Sequence, residues 1–242
     1  MRYSIIIPTL NEEKLLQPLL LLLNNDYLKK KFDYEVIVSD GGSTDKTLSI
    51  AKKYSDIVII NNENKKQNIA IGRNLGAKKA KGDILIFLNG DIIIKDLNLF
   101  FEIIENEFVM SNYKAMTCKV EVSPEESNIM DKIFLGFYNF YFHLLNIIGI
   151  GMGRGECQII RKNIFWQMNG YNELLAAGED FDLFKRIRKT GKILFERNLV
   201  IYESPRRYRK IGHFKILLTW LVNSFYILIV KKSKSQNWNA IR

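Results

Sequence analysis

The feature that most constrains the fold is an alternation of short apolar runs and longer helix-like segments in the amino-terminal part of the chain. Such alternation predicts an α/β fold with right-handed crossovers and a mainly parallel sheet, covered by helices on both faces. The predicted strands are Tyr3–Pro8, Tyr34–Ser39, Ile57–Ile60 and Ile84–Leu88, and the predicted helices begin near Glu12, Asp45, Asn68 and Asp96. Ligands of such sheets bind beyond the carboxyl ends of the strands. The segments of interest are therefore Pro8–Glu12, Asp40–Asp45 and Asn89–Asp91.

The second half of the chain is less regular. We predict strands at Lys114–Val122 and Cys157–Arg161, a helix at Gly178–Gly191, and extended segments at Ile193–Phe195 and Leu199–Tyr202. Because no repeat or low-complexity linker separates the two halves, we predict one domain over residues 1–212.

Composition narrows the function classes. The 242 residues include 36 Lys and Arg against 26 Asp and Glu, a net charge of +10, which suits nucleic acid, anionic lipid or a phosphorylated substrate. The two cysteines cannot form a disulfide scaffold, which favours a reducing, cytoplasmic compartment. With two histidines, a histidine-built metal centre is nearly excluded. The amino terminus lacks the apolar core of a signal peptide.

Two long apolar stretches, Ile133–Ile150 and Phe214–Val230, each have a polar stripe along one helical face. The second would be roughly 25 Å long, short of the roughly 30 Å hydrocarbon core of a bilayer. Basic residues flank it, so we predict that residues 213–242 form an amphipathic helix and basic tail at an anionic membrane surface. The alternative is that both helices pack on the protein itself or on a second subunit, as in a homodimer. The flanking residues are Arg206, Arg207, Arg209, Lys210, Lys231, Lys232 and Lys234.

The first two predicted loops both read as helix starts after a strand. In Pro8-Thr9-Leu10-Asn11-Glu12-Glu13, Thr9 and Glu12 have the spacing of a capping box, but an open helix amino terminus also suits an anion or nucleotide. In Ser39-Asp40-Gly41-Gly42-Ser43-Thr44-Asp45, paired glycines allow a tight turn and a hydroxyl can cap the helix. We expect Asp40 to have no structural task and to accept the imide hydrogen of a pyrimidine or the amide hydrogens of guanine.

The next two segments add a cation and a carboxylate. Gly72, Gly76 and Ala80 make one helical face small enough to pack on the sheet, leaving Arg73 as a candidate donor to a base or phosphate. The run Asn89-Gly90-Asp91 places a carboxylate directly after a buried strand. A divalent cation bridging diphosphate oxygens often needs one carboxylate and water, which Asp91 supplies.

Together these motifs resemble the inverting family-2 glycosyltransferases of the GT-A fold. The resemblance rests on SIIIPTLNEE, VSDGGSTD, GRNLGAKKAKGD with FLNGD, and the run Gly178 to Leu183, and it covers most of the chain. It implies a UDP- or GDP-sugar donor and Mg²⁺ or Mn²⁺, with Asp40 on the base, Asp91 on the metal and Asp180 as catalytic base beside Glu179. The paired Arg206 and Arg207 resemble those of short members. Donor contacts are expected from Pro8, Thr9, Asn11, Glu12, Asp40, Arg73, Asn89, Gly90, Asp91, Arg206 and Arg207.

Two departures from the family pattern sharpen these expectations. Leu10 stands where many relatives have an aromatic residue, and Asn89 stands where the metal motif usually opens with aspartate, which predicts weaker cation affinity. Asp180 at a helix start is expected to stay ionised and to take the proton of an acceptor hydroxyl. The chain lacks the transmembrane helices of processive synthases, which favours transfer of one sugar to a lipid-linked or other membrane-associated acceptor.

Three other interpretations compete with this one. A nucleotidyltransferase has a similar strand-loop-Asp layout, but its glycine- and lysine-rich loop is missing from Pro8–Glu13. A basic, nucleic-acid-associated protein needs its positive charge on one face, whereas here the charge falls in several clusters. A membrane-bound scaffold with a weakened site is suggested by Asn89. We favour the enzyme at the inner face of the membrane, with nucleic acid not required as a partner.

Overall fold

The fold is built on one eight-stranded sheet. The computed structural model describes residues 1–61 and 67–230, with the side chains of 221 and 223–230 left aside; Lys231, Lys232 and Lys234 lie outside the described residues. The strands are β1 (Tyr3–Thr9), β2 (Tyr34–Asp40), β3 (Ile57–Ile60), β4 (Ile84–Leu88), β5 (Ile92–Ile93), β6 (Ala115–Val122), β7 (Cys157–Arg161) and β8 (Ile193–Glu203).

Ten α-helices accompany the strands in the described part of the chain. They are α1 (Glu13–Leu23), α2 (Asp26–Phe32), α3 (Thr47–Tyr54), α4 (Ile69–Lys79), α5 (Leu97–Ile103), α6 (Ile129–Ile147), α7 (Lys162–Gln167), α8 (Glu179–Arg188), α9 (Arg206–Ile211) and α10 (His213–Val230). A π-helical segment, Ile104–Val109, continues α5. In the described residues, no helix combines the length and the apolarity needed to cross a bilayer.

The sheet order is β3-β2-β1-β4-β7-β6-β8-β5. The first four strands in this order pair in parallel, as the alternating pattern predicts. Beyond β4 the sheet is mixed, because β7 runs antiparallel to both β4 and β6, while β6 and β8 are parallel. The expectation of an α/β fold with a mainly parallel sheet is confirmed. Of its two antiparallel strands, β7 lies in the half where the sequence pattern is irregular, and β5 is a two-residue strand paired with β8.

Apolar side chains cover both faces of the sheet. One cluster packs α1 and α5 against β1, β2 and β4, and a second packs α4 and α8 on the opposite face. At Gly76 an added methyl would lie 2.3 Å from Ile6 Cγ2, so α4 approaches β1 more closely than any larger residue allows. This contact confirms the predicted small-residue face.

A third cluster joins α6 to the carboxyl-terminal helices. Phe134 and Tyr138 of α6 pack with Tyr208 of α9 and with Ile216 and Trp220 of α10. The two extended segments predicted after Gly191 form the single strand β8, with a change of register between Cys118 and Lys119 of β6. This irregular strand ends at Glu203 and leads directly into α9, which brings the paired arginines to the edge of the sheet.

Candidate active site

The loops after β1 and β2 are tied together by backbone and side-chain hydrogen bonds. Asn11, in the left-handed region at φ 53°, donates its N–H to Ser43 Oγ at 2.8 Å, and Thr44 N–H donates to Asn11 Oδ1 at 2.7 Å. Glu12 precedes α1, and its N–H donates to Thr47 Oγ1 at 2.7 Å. The predicted capping box is therefore not formed, because Thr9 belongs to β1 and the N–H of Glu12 donates to Thr47, the first residue of α3.

Asp40 organises the second loop. It is 1% exposed, and its carboxylate accepts from Gly42 N–H (3.0 Å), Ser43 N–H (2.9 Å), Ser43 Oγ (2.5 Å) and Thr9 Oγ1 (3.2 Å). The expectation that Asp40 has no structural task is wrong, because the turn around Gly42 is built on it. A carboxylate offers about four acceptor positions. A base contact by Asp40 would thus replace one of these bonds.

The Asn89-Gly90-Asp91 loop brings a carboxylate against the first loop and the paired arginines. An added methyl at Gly90 would lie 3.6 Å from Thr9 Cγ2 and 3.8 Å from Glu12 Cγ. One guanidinium nitrogen of Arg206 lies 3.4 Å from Asp91 Oδ2 and 3.8 Å from Glu12 Oε2. Two carboxylates and a cation thus meet where the predicted phosphate and metal contacts were placed.

The pKa of Asp91 lies above its ordinary value. Burial raises its pKa, and the positive charges of Arg206 and Arg207 act against that rise. Its side chain remains 36% exposed, so a solvated cation can reach it. Within residues 1–61 and 67–230, no three His, Cys, Asp or Glu side chains cluster as a protein-only metal site. Asp91 nevertheless fits Mg²⁺ or Mn²⁺, since such ions are commonly held by one or two carboxylates together with substrate phosphates and water.

Arg73 lies inside the protein and links the two halves of the sheet. It is 1% exposed, and its guanidinium donates to Glu179 Oε1 (3.0 Å), Asn89 Oδ1 (3.1 Å) and the Gly155 carbonyl (2.6 Å). The guanidinium carbon also lies 5.2 Å from the ring centre of Tyr171. Its predicted role as a donor to base or phosphate would require it to leave these partners. The side-chain oxygen of Asn89, one of the expected donor contacts, faces this guanidinium.

Asp180 stands at the start of α8, next to the ion-paired Glu179. The helix begins after Gly178, which has φ 79°, and Asp180 Oδ1 accepts from Phe181 N–H at 2.8 Å. An added methyl at Gly155 would lie 3.2 Å from Asp180 Oδ2, so glycine keeps the space beside this carboxylate open. Burial, followed by the negative charge of Glu179, raises the pKa of Asp180 to about 7.

That pKa corrects the expectation that the helix dipole keeps Asp180 ionised. Dipole stabilisation of a first-turn carboxylate is typically worth less than about 1 kcal/mol. Burial and a neighbouring carboxylate outweigh it here. A carboxylate that titrates near neutral pH is well matched to accepting and releasing a proton.

A second buried charge network was missed by the sequence reasoning. Arg154 is 2% exposed and lies between Glu156 (3.1 Å) and Glu203 (3.4 Å), and Tyr208 donates to Glu203. Burial and the charge of Glu156 raise the pKa of Glu203 to about 8; at Glu156 itself, burial is overcome by Arg154 and the pKa is lowered. A signal was available: Arg154 and Glu156 directly precede a predicted strand, and Glu203 ends another.

His213 has a structural place at the start of α10. Its Nε2 lies 2.7 Å from Asp131 Oδ1, and its ring stacks on Tyr208 with centroids 5.2 Å apart. Arg209 pairs with the same buried aspartate at 2.5 Å. These contacts hold α9 and α10 on α6, and thereby fix Arg206 and Arg207 at the site.

Comparison with known proteins agrees with this architecture. Residues 4–168 match the family model described as "Glycosyl transferase family 2". The O-antigen chain rhamnosyltransferase RfbN of Salmonella typhimurium is 25% identical over 93% of this chain and 76% of its own length. The uncharacterized glycosyltransferase YfnE of Bacillus subtilis is 42% identical, but the match covers 40% of this chain and 25% of that protein.

Solved structures show the same fold. The mannosyltransferase PcManGT from Pyrobaculum calidifontis, in complex with GDP-Man and Mn²⁺, has a TM-score of 0.73 at 18% identity, covering 97% of this chain and 65% of that one. TarS 1–349 of S. aureus with UDP-GlcNAc has a TM-score of 0.58 at 18% identity, covering 93% of this chain and 73% of that one. With a family model matched over more than half its length, the chain belongs to glycosyl transferase family 2, with the GT-A fold.

Proposed function

We propose that this glycosyltransferase moves one sugar from a UDP- or GDP-sugar to an acceptor hydroxyl, with inversion at the anomeric carbon. The observation that carries the proposal is the convergence of Asp91, Glu12 and Arg206 beside the Asn89–Gly90 loop. Arg73, which donates to Asn89, lies together with Asp180 next to Gly155. Support for the donor class comes from the two neighbours whose structures contain GDP-Man with Mn²⁺ and UDP-GlcNAc.

The donor's two phosphates would lie between Asp91 and the paired Arg206 and Arg207. Guanidinium groups suit this task because their fixed donors match phosphate oxygens. A divalent cation on Asp91 would neutralise the charge that develops on the departing diphosphate. Thr9, Asn11 and Asp40 are proposed to shape the nucleoside end of the pocket, and Pro8 and Gly90 to border it.

Asp180 is proposed as the general base. The acceptor oxygen forms its bond to the anomeric carbon while the bond from that carbon to the diphosphate oxygen breaks. The electron pair leaves with the nucleoside diphosphate, and the acceptor proton goes to Asp180. Attack on the face opposite the leaving group inverts the anomeric centre. Glu179, paired with Arg73, positions Asp180 and raises its pKa, and we propose it as a positioning residue.

We further propose that the acceptor is lipid-linked or otherwise held at a membrane, and that the enzyme works at the cytoplasmic face. The support is the apolar, basic carboxyl-terminal segment, with residues 213–242 as the membrane-facing part. The family match does not favour the nucleic-acid interpretation. A scaffold with a weakened site would bind donor without turnover, so one assay separates the two.

The test uses the full chain with a panel of UDP- and GDP-sugars, each with and without Mn²⁺ or Mg²⁺. Release of nucleoside diphosphate and the shift in thermal midpoint are measured together, because a ligand that binds the folded state raises its stability. Asp180→Asn should keep the donor-induced shift and lose roughly 100- to 10,000-fold in turnover. Asp182→Asn is the matched control, since Asp182 is in the same turn but pairs with Arg186 at 2.7 Å. Unchanged turnover in Asp180→Asn would sink the base assignment.

A further inference from the structure

Helix α6 exposes a continuous apolar stripe. Five large side chains along it follow one another at spacings of four, three, four and three residues, which places them on one face of the helix. Their exposed fractions run from 39% at Leu144 to 65% at Phe140. The five are Ile133, Phe137, Phe140, Leu144 and Ile147.

Helix α10 packs against α6 and also exposes apolar side chains. It packs on α6 through Trp220, whose ring centre lies 5.0 Å from that of Tyr138. Its outer face exposes Phe214 (72%) and Leu218 (47%). Of the 21 exposed large hydrophobic side chains among the described residues, nine lie in residues 129–150 and four in 211–222. A patch concentrated in this way marks an interaction surface.

Charge is concentrated beside the same surface. Residues 204–242 contain nine Lys and Arg and no Asp or Glu, whereas residues 1–203 contain 27 Lys and Arg against all 26 acidic residues, a net of +1. Lys210 in α9 and Lys215 in α10 are both exposed. The single acidic residue within α6 is Asp131, which is 1% exposed, forms an ion pair with Arg209 and lies within hydrogen-bond distance of His213. Nine of the ten net positive charges of the protein therefore belong to its apolar, carboxyl-terminal end.

We propose that the exposed faces of α6 and α10, the α6–α10 face, dock on an anionic lipid surface. The apolar stripe would enter the boundary between headgroups and acyl chains, and Lys210 and Lys215 would contact headgroup phosphates. This inference rests on the proposed function and deepens it, by naming the surface that carries the enzyme to a membrane-held acceptor.

A second copy of the chain fits this surface less well. A symmetric dimer through α6 and α10 would bring the exposed Lys210 and Lys215 of one copy close to those of the other, with no exposed acidic side chain in the described part of either helix to offset them. An anionic bilayer instead offers opposite charge and an apolar layer in one partner. The docked face also adjoins the site, since Arg206 and Arg207 of α9 directly precede α10 and Arg209 anchors α9 to α6.

Vesicle co-sedimentation with the full chain tests the proposal. Vesicles of phosphatidylcholine and phosphatidylglycerol in equal parts are compared with phosphatidylcholine alone, and binding should require the anionic lipid and weaken with salt. Phe137→Gln with Phe140→Gln should lower the partition coefficient at least about tenfold, because two aromatic rings no longer enter the interface. Lys210→Gln with Lys215→Gln should lower it by about fivefold per charge.

Matched controls lie on the far side of the molecule. Tyr27→Gln removes an aromatic side chain that is 72% exposed on α2, and Lys30→Gln with Lys52→Gln removes two exposed lysines from α2 and α3. These variants should bind vesicles like the parent. No anionic-vesicle binding by the parent, or equal losses in test and control variants, would overturn the inference. So would a parent that is dimeric in solution and becomes monomeric on Phe137→Gln with Phe140→Gln.

Donor turnover in the same preparations separates this inference from the proposed function. The Phe137→Gln/Phe140→Gln variant should release nucleoside diphosphate from a soluble donor at the parent rate while losing vesicle binding. A parent that binds vesicles through these residues but turns over no nucleotide sugar would leave the docking surface standing and remove the proposed reaction.

Discussion

The two halves of the sheet hold their site residues in different ways. After β1 and β2, neighbouring loops set the geometry through hydroxyls and backbone N–H groups, as at Asp40, whose four partners lie within its own turn or the adjoining strand. On the other side, buried arginine–glutamate contacts join segments far apart in the chain: Arg73 with Glu179, and Arg154 with Glu203. Asp40 keeps several hydrogen-bond partners when one of them is lost, whereas a buried arginine or glutamate that loses its ionic partner is left uncompensated, which is costly. The second half should therefore be the more sensitive to single substitutions.

The largest effect is expected from Arg73→Met. Arg73 is fully buried and neutralises Glu179, so its loss leaves a carboxylate unpaired inside the protein. The free energy of unfolding should fall by about 3–5 kcal/mol, measured by urea denaturation. Arg2→Met is the control, because Arg2 pairs with Glu105 at 2.7 Å but is 43% exposed, and should cost less than about 1 kcal/mol.

A double variant shows whether the orphaned charge is the cause. Adding Glu179→Leu to Arg73→Met removes the unpaired carboxylate, and part of the lost stability should return. If the double variant is as unstable as the sum of two independent losses, packing around Arg73 matters more than its charge.

Asp91→Asn should have the next largest effect, on turnover rather than on stability. Asp91 is the proposed cation ligand, and its substitution also removes the nearer of the two carboxylates that pair with Arg206. Release of nucleoside diphosphate should fall about a hundredfold or more, and Mn²⁺ should no longer raise the thermal midpoint in the presence of UDP or GDP. Asp83→Asn, an exposed carboxylate before the opposite end of β4, should change neither measurement.

The first half of the molecule could be predicted from the sequence much more fully than the second. Strands β1 to β4 and the loops after them follow from local periodicity and turn chemistry, and their carboxyl ends do meet at one edge. Arg154, Glu203 and Tyr208 could not be assembled in the same way, since their contact depends on an antiparallel β7 and on a change of register in β8. The sequence also predicts Arg73 as a donor to a base or phosphate. Its burial could not be foreseen, because the guanidinium pairs with Glu179, which lies 106 positions away in the chain.

Glu179→Gln should shift the pH dependence of turnover. Asp180 must be ionised to act as base, so kcat/KM of the parent should rise as pH increases through about 7. Removing the Glu179 charge eliminates one cause of the raised pKa, and the acid limb should move down by about one pH unit. Glu179→Asp should keep the parent profile. An unmoved limb in Glu179→Gln, with turnover merely reduced, would restrict Glu179 to a structural role.

Glu203→Gln should alter how stability depends on pH, by a smaller amount. The pKa of Glu203 is raised to about 8, so between its ordinary value and 8 the folded state holds a proton that the unfolded state has lost. Stability of the parent should therefore decline as pH rises toward and through 8. Glutamine does not ionise, so the stability of the variant relative to the parent should rise between pH 5 and pH 9, by at least about 1 kcal/mol. Parallel stability profiles for the two proteins would contradict the assigned pKa.

The smallest change is expected from Asn89→Asp, which restores the acidic residue that the family's metal motif usually has. An added carboxylate next to Asp91 suggests a second metal ligand. The Asn89 oxygen, however, accepts a hydrogen bond from Arg73 at 3.1 Å. A carboxylate there should pair with the guanidinium instead of turning to the cation. The concentration of Mn²⁺ that gives half-maximal turnover should change less than about threefold, which is under 1 kcal/mol. If that Mn²⁺ concentration falls tenfold or more, residue 89 binds the cation rather than Arg73. The contact between Arg73 and the Asn89–Asp91 loop would then be weaker than its geometry implies.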